Sequence, residues 1–476
     1  MDHPVVVIGA GPIGLAAAAH LVKRDLPFLV LESGDGPAAS VRQWGHVRLF
    51  SPWRYDTDAA ARRLLDAAGW SPPDPEELPT GAELADRYLQ PLAKLPAIAP
   101  HVRYGARVVA ISRVDVDRLR TAGRDGTPYV VRLQDGTEIT AQAIIDASGT
   151  WRTPNVLGAN GLSAHGEQEA TAWIDHALPD VLGADRPHFA GRHTVVIGAG
   201  HSAATTLLAL AQLTEQVPGT RITWAIRSQE PDRAYGGGGD DALPARGSLG
   251  SGLRLLVDKG LVELAAGFKV RAVRPGASGG VELVSQRSDG SDWAITADRV
   301  IAATGYRPDH SIAAELRLDL DPILGTTRLL APLIDPNDHS CGTVRPHGVD
   351  ELTHPESGYF AIGMKSYGRA PTFLLATGYE QARSVVAALA GDWEAARDVR
   401  LELPETGVCS VTLGARAVAE SLGLAPDIPA KLLAATTQHL PLHANAADAV
   451  MAAATELGLE PAAAMQLAAF AAERFD

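Results

Sequence analysis

In two places along the chain a short unbroken apolar run leads into a glycine-rich turn and then into an alanine-rich stretch. Val5 to Ile8 is the first such run, followed at once by Gly9-Ala10-Gly11-Pro12-Ile13-Gly14 and then by apolar positions from Leu15 to Val22. Phe28 to Leu31 is a further apolar run, and it ends in Glu32. The order returns at Val195 to Ile197, with Gly198-Ala199-Gly200-His201-Ser202-Ala203, the stretch Ala204 to Leu213, and the run Arg221 to Ile226. Apolar, β-branched residues without polar alternation read as strands covered on both faces, as in a parallel sheet. The stretches after the glycines read as helices. The predicted fold class is α/β, with two Rossmann-like domains.

Two more segments share a design. Ala143 to Gly149 (AIIDASG) is a buried strand ending in a turn of small residues, and Val300 to Asp309 (VIAATGYRPD) repeats it. Gly149 and Gly305 let the backbone turn close to a ligand or a partner strand. Residues 50–100 read as a helical insertion, broken by a loop at Ser71-Pro72-Pro73-Asp74-Pro75. Ala234 to Asp241 is glycine-rich, and reads either as a flap over a ligand or as a plain flexible insertion. The composition shifts from about residue 400, where Pro404, Pro426 and Pro429 precede helical spacing from Leu432 to Phe475. That region is predicted to be a small helical C-terminal extension.

Composition narrows the possibilities. A chain of 476 residues suffices for two or three domains. Its net charge of −14 disfavours nucleic acid and anionic membrane as partners, because both require a basic footprint. No apolar run approaches the ~18 residues that span a bilayer, and no signal-peptide pattern precedes Val5. A cytoplasmic protein is expected. Cys341 and Cys409 are the two cysteines, and neither sits in a C-x-x-C pair, which argues against a disulfide framework or a cysteine-rich zinc site. His339, His347 and His354 lack metal-ligand spacing and H-E-x-x-H is absent, so no metal is expected.

The glycine turns carry the candidate chemistry. Strand, G-x-G-x-x-G and helix in succession make a grip for a dinucleotide pyrophosphate. Gly9 permits the tight turn, Gly11 admits the phosphates, Pro12 and Ile13 open the helix, and Gly14 lets helix and strand pack closely. The helix start offers free N–H groups and partial positive charge. Glu32, with Ser33 beside it, stands where an acid accepts hydrogen bonds from a ribose diol. In the second turn, Gly198, Gly200, His201, Ser202 and Ala203 form the G-x-G-x-x-A variant, and the following strand ends in Arg227 rather than an acid. A guanidinium grips a 2′-phosphate that a carboxylate would repel. The first site suits a ribose with free hydroxyls, as in FAD, and the second suits NADPH. Two unlike dinucleotides on one chain imply a hydride passed between them.

On these two turns, with AIIDASG and the ATG of Ala303-Thr304-Gly305, the sequence resembles the two-dinucleotide-binding flavoproteins, and within them the flavin-containing monooxygenase-like group, over roughly residues 4–390. The resemblance implies a discontinuous FAD domain, 1–160 and 296–395, with an NADPH domain, 161–295, inserted, and it leaves 396–476 as the extension. It implies a third FAD contact at Gly363 and Met364, where many relatives carry Gly-Asp, and a helix from about Thr372 to Leu389 aimed at the flavin. It sets the segment Ser40 to Arg48 near the isoalloxazine, with Trp44 and Arg48 lining the pocket. The family fingerprint F-x-G-x-x-x-H is not matched at Phe189-Ala190-Gly191. The implied activity is an NADPH-consuming monooxygenase that oxygenates a small molecule, at a soft heteroatom or carbonyl, with molecular oxygen and a C4a-(hydro)peroxyflavin. A reductase passing electrons to an acceptor without oxygen insertion is the alternative, and a flavin-binding sensor is a third. A homodimer is compatible with the sequence.

Overall fold

The computed structural model describes residues 3–399 apart from 177, 237–242, 277–278, 288, 337–346 and 371–372. Beyond 400 it describes scattered residues and the segment 446–460. Cys341, Cys409, most of the glycine-rich loop and most of the C-terminal extension lie outside the described residues. Within that extension the helix Ala446–Glu456 is described.

The first sheet contains β1 (Val5–Ile8), β2 (Phe28–Leu31), β3 (Val102–Arg103), β7 (Ala143–Asp146) and β16 (Tyr359–Ala361), in the order β16-β7-β1-β2-β3 and with parallel pairing throughout. A separate antiparallel sheet, β4 (Val108–Arg113), β5 (Tyr129–Leu133) and β6 (Glu138–Ala141), intervenes in sequence. The second parallel sheet contains β8 (Ile174–His176), β9 (His193–Ile197), β10 (Arg221–Ala225), β11 (Glu263–Ala265) and β15 (Arg299–Ala302), in the order β11-β10-β9-β15-β8. It too has an antiparallel partner, β12 (Ala272–Pro275), β13 (Val281–Gln286) and β14 (Asp292–Ala297). The two modules are therefore built alike: the strand before the glycine turn lies at the centre, and an antiparallel sheet precedes in sequence the strand that pairs on its other side, β7 in the first and β15 in the second.

The unbroken apolar runs follow from this placement. Val5 and Val7 face a core shared with helices Pro12–Lys23 and Leu375–Leu389, while Val6 and Ile8 face the antiparallel sheet through Tyr129 and Val131. Both faces of β1 are dry, so every position is apolar, and each such side chain stabilises the fold by about 1.5–3 kcal/mol. Val195 and Ile197 divide from Val196 in the same way in β9. The insertion is helical, with Trp53–Asp56, Ala59–Ala67 and the continuous stretch Gly81–Ala93 packed on the first core through Trp53, Leu65, Leu84 and Tyr88.

One boundary differs from the sequence-derived division. A cut at 296 assigns β15 to the first module, yet β15 pairs with β9 and β8 in the second sheet. The second crossing between modules falls after Ala302. An apolar strand ending in glycine is the same signal in either sheet, so pattern alone misplaces it. Among the described residues no helix is long and apolar enough to cross a membrane.

Candidate functional site

Each glycine turn leaves the carboxyl end of a central parallel strand, where ligands of open α/β sheets sit. In the first turn Gly9 has φ +102°, and an added Cβ would lie 2.8 Å from the Ala147 carbonyl oxygen. At Gly14 an added Cβ would lie 1.9 Å from the Gly9 carbonyl oxygen. Both glycines are demanded by the protein's own packing. Gly11 is different. Its φ of −80° suits any residue, and an added Cβ meets no protein atom within 4 Å. The second turn repeats the contrast: at Gly198 an added Cβ would lie 2.1 Å from the Ala303 carbonyl oxygen, whereas Gly200, φ −93°, faces open space. The middle glycine of each turn keeps a surface free for something other than protein.

Both helices begin with that glycine as N-cap, without a side-chain cap and without an acid in the first turn. Their first N–H groups remain available to an anion. Pro12 occupies the first turn of one helix, and His201 and Ser202 open the other, with Ala203 buried. Ile13 is buried between Gly363 and Gly378, whose added Cβ atoms would lie 3.1 and 2.5 Å from it.

Glu32 closes the first site. Its Oε2 accepts from the Ala10 N–H at 2.7 Å and its Oε1 from the Gly34 N–H at 2.7 Å and the Ser33 hydroxyl at 3.2 Å. The carboxylate is thus pinned beside the turn with lone pairs left over. A cavity of about 480 Å³ opens past it, lined by Asp35, Gly36, Pro37, Arg42, Lys94 and Tyr104. Burial and the Glu32 charge raise the Tyr104 phenol. In the second module Arg227 follows β10, exposed, and makes no hydrogen bond or ion pair among the described residues.

The third segment of the first module is more heavily wired than its sequence suggests. Gly363, φ +71°, donates its N–H to Gln381 Oε1 at 2.7 Å, and Met364 beside it is half-buried. Lys365 is buried and pairs with Asp146 Oδ2 at 2.6 Å, with Ser148 at 3.1 Å and Tyr359 on the same carboxylate at 3.0 Å. Burial works to raise the Asp146 carboxyl, but the Lys365 charge and hydrogen bonds outweigh it and hold the group below the usual range. Sequence reading passed over this pair. Its only signal is an aspartate at the end of one apolar strand and a lysine four residues beyond the end of another.

The candidates Trp44 and Arg48 make their contacts with the helical insertion. Trp44 is half-buried against Gly81, where an added Cβ would lie 2.7 Å from the indole. Arg48 is exposed, donates to the Leu78 carbonyl and lies 3.9 Å from Glu83. Asp56, in the same insertion, is fully buried. It accepts from the Ser51 hydroxyl at 2.8 Å, and burial pushes its carboxyl up to about 8.

Gly149, φ +70°, and Gly305, φ +82°, stand where the chain crosses between modules. The two crossings are laced together. The Asn155 side chain donates to the Thr304 carbonyl at 2.9 Å, Thr304 Oγ1 donates to the Asn155 carbonyl at 2.8 Å, and Arg307 Nε donates to Asn155 Oδ1 at 2.8 Å. The Asn155 N–H donates to the Gly305 carbonyl at 2.8 Å. The rings of Trp151 and Tyr306 stack beside them, 5.1 Å apart. No group of three or more histidine, cysteine or carboxylate side chains suited to a metal occurs among the described residues.

Two parallel sheets, each with its own phosphate-binding turn and joined by a two-stranded crossing, define a protein with two dinucleotide-binding modules. More particularly, the chain belongs to the pyridine nucleotide-disulphide oxidoreductase family, which matches residues 6–340. Among curated proteins it is 30% identical over 211 residues to indole-3-pyruvate monooxygenase YUCCA1 of Oryza sativa subsp. japonica, covering 44% of this chain and 45% of that protein. It thus spans under half the length of that relative. It is 24% identical over 380 residues to ferredoxin–NADP reductase of Rhodospirillum rubrum, covering 79% of this chain and 88% of the reductase. Among solved structures it is similar to DfoA of Erwinia amylovora, a cadaverine monooxygenase bound to FAD. There the TM-score is 0.58 and the identity 16%, with 86% of this chain and 99% of that one covered.

Proposed function

We propose that the protein is an FAD-dependent oxidoreductase that draws electrons from NADPH and inserts an oxygen atom into a small molecule, at a soft heteroatom or a carbonyl. The observation that carries the dinucleotide reading is the middle glycine of each turn, Gly11 and Gly200. Neither has a conformational or packing reason to be glycine, and both border uncapped helix starts. The similarity to DfoA, bound to FAD, and to YUCCA1 supports flavin and oxygen transfer.

The residues present fit the two cofactors. Gly11 and the N–H groups that follow it hold the FAD pyrophosphate. Glu32, already oriented by Ala10 and Gly34, accepts from the adenosine ribose. Gly363 and the uncapped start of helix Leu375–Leu389 would hold the flavin end, where the partial positive charge of a helix start would favour negative charge on the ring. Gly200, His201 and Ser202 hold the NADPH pyrophosphate, and Arg227 the 2′-phosphate. Trp44 and Arg48 would line the flavin pocket, and Gly149 and Gly305 would let the crossings turn close to it. When bound, the flavin supplies hydride acceptance and oxygen activation, and the protein supplies placement and exclusion of water.

A second reading, electron transfer to an acceptor without oxygen insertion, is favoured by the match across 88% of a ferredoxin–NADP reductase. No C-x-x-C pair is present in the sequence to relay electrons to a disulfide. Isotope labelling separates the readings. With FAD, NADPH and ¹⁸O₂, oxygenation places one ¹⁸O atom in an amine, sulfide or ketone product in step with NADPH consumed. Electron transfer to ferredoxin or quinone without oxygen, and no labelled product from any of these classes, would establish the reductase.

A further inference from the structure

Among the described residues, one ring contact runs from the first module to the second outside the crossings, and one hydrogen bond ties the first module to the root of a crossing. Phe50, just beyond the segment that carries Trp44 and Arg48, packs its ring 5.3 Å from that of His201, the first residue of helix His201–Gln216. Gln43, from the same segment, accepts from Trp151 Nε1–H through its Oε1 at 2.7 Å. Trp151 in turn stacks on Tyr306, which joins the other crossing. The two sheets share no strand. A two-stranded crossing fixes where the modules meet but resists twisting weakly, and relative motion is the ordinary behaviour of domains so joined. The ring pair acts at the start of the helix that holds the second cofactor's phosphates, and the Gln43 bond acts at the root of the crossing. Together they define an angle that the crossing alone leaves loose.

We infer that Phe50 and Gln43 are positioning residues: from the first module they hold His201 and Trp151 so that a nicotinamide carried on the second turn meets the first cofactor site in one orientation. This rests on the two-cofactor reading above. Neither side chain belongs to a phosphate-binding turn, and the backbone N–H groups that grip NADPH stay in place without it, so removing it weakens NADPH binding far less than it slows transfer. What changes is the fraction of time in which donor and acceptor are aligned, and misplacement by about 1 Å is worth on the order of a hundredfold in rate.

The test uses the full chain loaded with FAD and mixed with NADPH without oxygen, with the limiting rate of flavin bleaching read per bound flavin. Phe50→Ala is expected to lower that rate about thirtyfold while the half-saturating NADPH concentration stays within about threefold. Phe50→Tyr, which keeps the ring, restores most of it. Gln43→Ala is expected to cost about threefold, and Gln43→Glu, which keeps an acceptor for the indole, restores it. A second readout needs no cofactor: backbone hydrogen exchange at 150–155 and 304–307 speeds up in Phe50→Ala and Gln43→Ala and not in their conservative counterparts. Wild-type bleaching rates in both alanine variants, a loss confined to NADPH half-saturation, or unchanged exchange would each overturn the inference. A wild-type chain that takes up no flavin would instead overturn the functional reading beneath it.

Discussion

The two modules share the arrangement of four of their five parallel strands, a central glycine turn and an antiparallel insert, and they differ where a ribose would be read. In the first, an acid is buried and locked: Glu32 accepts two backbone N–H bonds at 2.7 Å. In the second, a cation is exposed and without a partner among the described residues: Arg227. A locked carboxylate suits a cofactor that stays bound, because its geometry is settled before the ligand arrives. A free guanidinium suits a cofactor that comes and goes, because it exchanges only water for phosphate. The difference teaches that a repeated architecture can carry opposite charges at the end of the second strand of each module, which is where the proposed function puts cofactor choice.

That comparison can be broken at several points. The largest effect is expected at Gly14, where a Cβ would lie 1.9 Å from the Gly9 carbonyl oxygen. Gly14→Val should abolish flavin uptake, measured as absorbance after reconstitution, whereas Gly11→Ala should leave the protein as stable as wild type and weaken FAD alone. Glu32→Ala comes next. It strips the Ala10 and Gly34 N–H groups of their partner, and FAD affinity should fall about a hundredfold with a lower Tm. Arg227→Ala should raise the half-saturating NADPH concentration about thirtyfold and change that for NADH little, since a charge-assisted phosphate contact contributes roughly 1.5–3 kcal/mol. Equal changes for both nucleotides would remove Arg227 from that role.

A last test concerns Asp56 and reads stability rather than cofactor binding, which sharpens the comparison by probing a buried acid with no ribose to bind. Its carboxyl is raised to about 8 by burial, from 3.8. Between pH 4 and 8 the folded chain keeps a proton that the unfolded chain releases. Stability therefore falls across that window by about 1.4 kcal/mol per pH unit. Asp56→Asn cannot ionise, so its Tm relative to wild type should be higher at pH 8 than at pH 5. A difference constant with pH would contradict the buried, neutral acid.

Much of this was legible beforehand because it is local. The glycine turns, the apolar strands beside them and the acid after β2 are set by steric and burial rules that act within a few residues. What escaped acts over distance. Nothing near Lys365 or Asp146 announces their pairing at 2.6 Å, and nothing near Phe50 announces His201. Sequence reading assigned β15 to the first module because its run of apolar residues carries no mark of its sheet. The pocket roles of Trp44 and Arg48 came by resemblance, and their contacts with Gly81, Leu78 and Glu83 lie beyond what local pattern shows.

The most direct test is an anaerobic titration of the purified full chain after reconstitution with FAD. The account predicts one flavin per chain, complete bleaching by one equivalent of NADPH, and a much weaker response to NADH. A protein that binds no flavin, or a bound flavin that NADPH leaves oxidised, would contradict it.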